Sequence, residues 1–337
     1  MDTHINISFE ELNSLVDTEL RSVIDSRDMT DFYSIMSYHL GCADRNGQSK
    51  PQDKRNRIYG SICLLTCYIL KGNIDRVLPA AAAMELVNNF CQIHEDVQGG
   101  RPQRDHQDAI WWIWGPAQAI NAGDAMHALA RLSLLNLRNK DVSFDVLFRS
   151  LIILDDACLE TCEGRFFDLE AQEKLNMEIE TYINMASKKT GSLVSSAMQL
   201  GALLATSDEN IVSIMANCGN ELGIAMQIRQ DINELRLSED ASPIELMNKK
   251  KLLPVVYAFS KGSIREKREL GDIYFKRVLQ KEDIAKLRIL IDTLGAEKDC
   301  VDLISHYRGK ILEALNSAGL DSEQKSEFTK LIDLITD

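Results

Sequence analysis

The stretch "VLPAAAAMELVNNFCQIHEDV", Val77 to Val97, decides the fold class. Its apolar residues recur at steps of three and four over a length too great for a strand. The same spacing returns in "INAGDAMHALARLSLLNL" (Ile120–Leu137), "VLFRSLIILDDACLETCEGRFFDL" (Val146–Leu169), "IETYINMASKKTGSLVSSAMQLGALLA" (Ile179–Ala205) and "IVSIMANCGNELGIAMQIRQDINEL" (Ile211–Leu235). Leu193 to Ala205 is almost wholly apolar, as a helix inside a larger bundle must be. No alternating strand runs appear, and no Asn-Gly pair joins two such runs. "RNGQSKPQDKRN" (Arg45–Asn56), "LSEDASP" (Leu237–Pro243) and "SKGSIREKREL" (Ser260–Leu270) read as polar loops. With no repeat and no linker to divide it, the chain is expected to be one all-α domain over residues 1–337, of about ten or more helices.

Composition narrows the function. Hydrophobic residues make up 45% of the 337, enough for a real core. The 38 basic and 51 acidic residues leave a net charge of −13, which argues against a nucleic-acid surface. A few arginines and lysines focused in one cleft are still able to hold a small anion. No apolar run reaches the roughly 18 residues of a membrane span. The acidic, amphipathic start "MDTHINISFEELNSLVDTEL" is not a signal peptide. The eight cysteines then read as reduced thiols of a cytoplasmic protein. "CLLTC" (Cys63–Cys67) and "CLETC" (Cys158–Cys162) put thiols on one helix face, where packing is the expected role rather than zinc.

Two acidic clusters carry the chemistry. Glu95-Asp96 is one, followed by glycines and then by Arg101 and Arg104. Asp231 and Glu234 in "QIRQDINEL" are the other, three residues apart and so on one helix face. Carboxylates across a helical bundle suit Mg²⁺, which fills its shell with water and substrate phosphates. Arg101, Arg104, Lys188, Lys189 and Lys249 to Lys251 supply the cations that a diphosphate leaving group also needs. Any one of these, taken singly, reads as a solvated face; the ordered set is what points to diphosphate chemistry.

On these motifs the chain resembles the trans-prenyl diphosphate synthases of the class I terpenoid synthase superfamily. The resemblance runs from about "FYSIMSYHLG" to "KKKLLPVVYA" and rests on "AAAAMELVNNFCQIHEDVQGG", "WGPAQAINAGDAMHALARL", "CEGRFFDLE", "KKTGSL", "AMQIRQDINEL" and "LLPVVYA". It implies a helical bundle around a central cavity, the isoprenoid synthase fold. Two aspartate-rich motifs would hold three Mg²⁺ ions on an allylic prenyl diphosphate, and the protein would be a homodimer. By the same resemblance, Glu95, Asp96, Asp231 and Glu234 are the expected metal ligands, with Gln230 a weaker one. Asp96, Asp231 and Lys189 are the expected catalytic residues. Arg104, Lys189, Thr190 and Gln227 would bind the substrate diphosphate. Phe90 and Gln92 would line the cavity, and the ring of Phe90 would limit the product to about fifteen carbons.

The departures from the family pattern are uneven. Gly99 and Gln230 stand where the two motifs carry aspartates, and Asp105 replaces the second of two arginines. Asn88 stands where the isopentenyl diphosphate site has a histidine, and Arg165 where a glutamine is usual. The lysine and arginine of that second site fall on Asn56 and Tyr59 without a gap, or on Lys54 and Arg57 with a two-residue slip; the ungapped register is preferred. The glycine-lysine loop after the second motif is missing from "RLSEDASPIEL". The allylic side is thus largely kept and the isopentenyl side largely lost. That pattern favours a terpene synthase acting on farnesyl or geranylgeranyl diphosphate, or transfer to an acceptor other than isopentenyl diphosphate. The alternatives are a chain-elongating trans-prenyl diphosphate synthase and a non-catalytic subunit of one. Trp111, Trp112 and Trp114 are expected to pack, His94 to be structural, and Asp155-Asp156 to lie outside both motifs.

Overall fold

The computed structural model describes residues 7–27, 31–50, 55–237 and 243–336. In chain order the helices are α1 (Phe9–Asp25), α2 (Asp31–His39), α3 (Ile58–Ile69) and α4 (Ile74–Gln98). A minimal ladder of β1 (Gln103–Arg104) and β2 (Gln107–Asp108) follows. Then come α5 (Ile110–Trp114), α6 (Pro116–Leu135), α7 (Phe144–Gln172), α8 (Ile179–Ala186), α9 (Ser192–Ala205) and α10 (Glu209–Arg236). The chain closes with α11 (Ile244–Met247), α12 (Leu253–Lys261), α13 (Ile264–Tyr274), α14 (Lys281–Thr293), α15 (Ala296–Ser317) and α16 (Ser322–Thr336). The architecture is all-α, as the periodicity predicts. The slip that would use Lys54, and most of the loop after the second acidic motif, fall outside the described residues.

Local chemistry sets the helix ends. Ser8 and Glu11 form a reciprocal cap at the start of α1, and Ser263 and Glu266 do the same for α13. Asn73 caps α4, whose run from Ala80 to Val87 is buried throughout. Pro79 lies inside α4, and its carbonyl accepts from the Ser133 hydroxyl of α6 at 3.0 Å.

The chain forms two compact units, each of two separate stretches. One comprises residues 1–156 and 196–215, the other 157–195 and 216–337. In the first, α4 packs along α6 and α3. Close approach depends on small residues: a side chain on Gly123 of α6 would lie 2.3 Å from the His94 ring nitrogen. The His94 ring meets Phe90 edge-on, at 5.2 Å between centroids. In the second unit, Tyr182, Ile228, Ile232, Leu253, Cys300 and Ile304 form part of one apolar cluster. Leu246, Val255, Leu270, Leu287 and Ile291 belong to another. All eight cysteines are free thiols, seven of them buried and Cys162 exposed.

The ladder was not expected from the sequence. Strands of two residues show no alternation, and the turn uses Asp105 and His106 rather than Asn-Gly. Both hold positive φ, 50° and 61°, as a two-residue hairpin turn requires.

Candidate functional site

In the first unit the acidic pair sits on the last turn of α4. Asp96 is 2% exposed, and its carboxylate receives the Arg104 guanidinium. Nε of Arg104 donates to both Asp96 oxygens at 2.9 and 3.1 Å, and Nη2 donates to Oδ1 at 2.7 Å. The same Nη2 also donates to Glu95 Oε2 at 3.2 Å. Arg101 adds a second cation, 3.8 Å from Asp96. Burial pushes the Asp96 carboxyl up, against the pull of Arg104. Burial also opposes charge on Arg104, but Asp96 and Glu95 outweigh it and hold the guanidinium charged. The hairpin makes the pairing possible: Gly100, at φ 60°, turns the chain off α4, and β1 carries Arg104 back over it. The Trp111 indole fixes the turn by donating to the Arg101 carbonyl at 2.6 Å. Trp114 packs edge-on against Tyr38, whereas Trp112 is exposed.

Two to three helical turns back along α4 lie Asn88 and Glu85, where the resemblance would put a second substrate. Glu85, fully buried, accepts the backbone N–H groups of Tyr59 and Gly60 at 2.7 and 3.0 Å and so caps α3. Asn88 reaches Glu85 at 3.4 Å, and Gln92 reaches Asn88 at 3.5 Å. Phe90 is buried between the His94 and His127 rings. Arg57 turns inward: it pairs with Asp17 at 2.5 Å and donates to the Leu40 carbonyl at 2.6 Å. Asn56 is exposed and Tyr59 buried. Arg55, which the sequence did not single out, donates to the His39 carbonyl and lies 3.6 Å from Asp105.

In the second unit a five-residue π-turn, Ser187–Gly191, separates α8 from α9. Such an insertion often marks a functional site. Here it presents Lys189 and Thr190. Lys189 pairs with Asp168 of α7 at 2.8 Å, and Lys250 approaches the same oxygen at 3.4 Å while also pairing with Glu245. The Thr190 hydroxyl donates to Gln227 at 2.6 Å, and Gln227 donates to Asp231 at 2.9 Å. Asp231 accepts two further bonds, from the Tyr182 hydroxyl at 2.6 Å and the Leu253 N–H at 2.8 Å. Burial raises its carboxyl to about 6. Glu234 accepts the Glu245 N–H at 2.9 Å, and Gln230 is exposed. Asp168 and Tyr182 are the partners that sequence reading missed; Asp168 lies inside the quoted "CEGRFFDLE".

Among the described residues, no three His, Cys, Asp or Glu side chains are grouped to hold a metal ion. Both carboxylates of the first pair are in hydrogen bonds with Arg104. Both oxygens of Asp231 accept hydrogen bonds from protein donors. As arranged, these residues do not fit Mg²⁺, which asks for carboxylate oxygens at about 2.0–2.1 Å in octahedral geometry.

Known proteins share this arrangement of helices. The sequence profile described as polyprenyl synthetase matches residues 47–291. The geranylgeranyl diphosphate synthase of Mycobacterium tuberculosis (strain ATCC 25618 / H37Rv) is 29% identical over 269 residues, which cover 78% of this chain and 75% of that protein. The (2E,6E)-farnesyl diphosphate synthase of Mycobacterium bovis is 24% identical over 332 residues, 96% of this chain and 91% of that one. A solved structure, the polyprenyl synthetase from Streptomyces coelicolor A3(2), matches with a TM-score of 0.88 at 28% identity over 98% of both chains.

Proposed function

The chain belongs to the polyprenyl synthetase family, and from that premise we propose that it is a prenyltransferase acting on an allylic prenyl diphosphate, chain elongation being the best-supported reaction. The observation that carries this reading is the similarity to proteins named as geranylgeranyl and farnesyl diphosphate synthases, over 78% and 96% of this chain. It stands with the chain-elongating alternative rather than with the cyclase put first from the sequence. Arg104, Lys189 and Thr190 are the proposed diphosphate-binding residues, the two cations supplying fixed positive charge where a leaving group gains negative charge. Magnesium is the cofactor that the resemblance implies. A single isoprenoid-synthase domain over 1–337 is proposed, because the profile match runs through stretches of both units. A homodimer is proposed too, supported by Phe144, Phe148 and Ile152, which stand exposed at four-residue spacing on α7. No helix among the described residues is long and apolar enough to cross a membrane.

One observation favours a second reading. Arg57 is committed to Asp17 and the Leu40 carbonyl, and Asn88 stands where the resemblance expects a histidine. An enzyme so built would ionise farnesyl or geranylgeranyl diphosphate without condensing it with isopentenyl diphosphate, giving a cyclic product or an adduct with another acceptor.

The test incubates the protein with Mg²⁺ and each allylic diphosphate, with and without isopentenyl diphosphate. A longer diphosphate formed only with isopentenyl diphosphate is the expected result. Hydrocarbon or alcohol products formed without it would replace the first reading by the second. No turnover under any condition would sink both and leave the non-catalytic subunit.

A further inference from the structure

The geometry points to a lipid-facing tip on the second unit: we propose that the turn from α13 to α14 docks on an anionic bilayer surface. The stretch "FKRVLQK", Phe275 to Lys281, joins the two helices. It holds three cations and no acid, in a chain whose net charge is −13. From Lys261 to Arg288 there are nine basic and five acidic side chains, a local balance of +4 against that overall charge. Large apolar side chains are interleaved with the cations: Ile264 is 84% exposed, Phe275 76% and Val278 61%. Ile264, Arg268 and Phe275 follow one stripe of α13, at steps of four and seven, about 16 Å from end to end. Ile289, also exposed, lies with Lys276 and Lys286 along the cleft between α13 and α14. Of the acids on that cleft, Glu269 pairs with Arg265 at 3.0 Å and Asp283 with Lys276 at 2.6 Å. Asp272 then stands against Arg268, Arg277, Lys281 and Lys286, all of them exposed.

Charge and shape together choose the occupant. The cations match an anionic surface, where each basic side chain adds about fivefold to binding. Ile264, Phe275 and Val278 protrude. A protein partner would need a shaped pocket for each, and a nucleic acid would gain nothing from them. The boundary between lipid headgroups and acyl chains takes protruding apolar groups without a complementary pocket, while the lysines and arginines stay at the phosphates. No span is required, so the tip attaches the protein peripherally. Nothing in this depends on which reaction the chain catalyses.

The experiment sediments the full-length protein with vesicles of phosphatidylcholine alone and of phosphatidylcholine with one third phosphatidylserine. Binding is expected to the second kind only, weakening as salt rises. Arg277→Gln with Lys281→Gln should weaken it by about thirtyfold. Phe275→Ser with Val278→Ser should remove the part that survives high salt. All four side chains are exposed, so both variants are expected to fold. Equal binding to the two vesicles, binding to neither, or binding that both variants leave unchanged overturns the proposal. Retention on polyglutamate without vesicle binding overturns it as well and gives the tip to an acidic protein. A serine variant that loses self-association and keeps vesicle binding overturns it in favour of a second copy of the chain.

Discussion

Asp231 shows at the scale of one residue why an acidic position is not automatically a ligand. Its oxygens accept from Tyr182, Gln227 and Leu253, three donors that need an acceptor on both sides of the carboxylate. Asp231→Asn turns an acceptor into a donor and leaves at least one buried donor unpaired. A loss of about 2 kcal/mol in urea unfolding is expected. Lys251 makes the converse case. It is 3% exposed, lies 4.6 Å over the Tyr274 ring, and donates to the Lys249 carbonyl at 3.2 Å. Burial, with repulsion from Lys249, lowers its ammonium from the ordinary 10.5 to about 8. Between those values the unfolded chain holds a proton that the folded chain has released. Stability from this group is therefore present above 10.5 and lost as pH falls through 8. Lys251→Met should be more stable than the parent at pH 7, and thermal melts should show the margin shrinking by pH 10. A margin independent of pH would assign the effect to packing. Little of this was legible in the sequence. Asp168 and Lys189 are 21 residues apart, and Asp231 and Tyr182 are 49 apart. No local spacing announces partners at such range.

Elements were more legible than partners. Long apolar runs at helical period fixed α4, α6, α7 and α10, because a buried helix must show that period whatever it packs on. The π-turn did not show, since "SKKTG" has no composition that separates it from one more α-helical turn. Its neighbour explains why it keeps its shape. A Cβ on Gly164 of α7 would sit 2.3 Å from the Lys189 nitrogen and 2.7 Å from its Cα. Gly164→Ala must push the π-turn away, at a cost of about 1–3 kcal/mol in stability. The shift also misplaces Lys189 and Thr190, so turnover should fall by about 10²-fold. Steady-state kinetics and a denaturant melt on the one variant test both halves. Retained turnover would detach the π-turn from the chemistry. The β1–β2 hairpin escaped notice for a different reason. Its strands are too short to alternate, and its function is to aim one arginine at a carboxylate eight residues back.

For the whole molecule, fold class was readable and assembly was not. The exposed α7 side chains Phe148 and Ile152, 63% and 60% accessible, have the spacing of a contact face. Sedimentation velocity should find a dimer, and Phe148→Asp with Ile152→Asp should give a monomer. A monomeric parent would make those side chains ordinary surface. The interleaving of the two units has a consequence in time rather than in space. Residues 1–156 leave the ribosome well before 196–215, the stretch that completes their unit. During synthesis the first helices must therefore wait, with the apolar flank of α3 open, until Gly201 arrives to seat against the Cys63 carbonyl. The nascent chain thus spends some 45–60 residues of elongation, a few seconds at about 5–20 residues per second, as a partly closed bundle, and that interval is where a chaperone would have most to do.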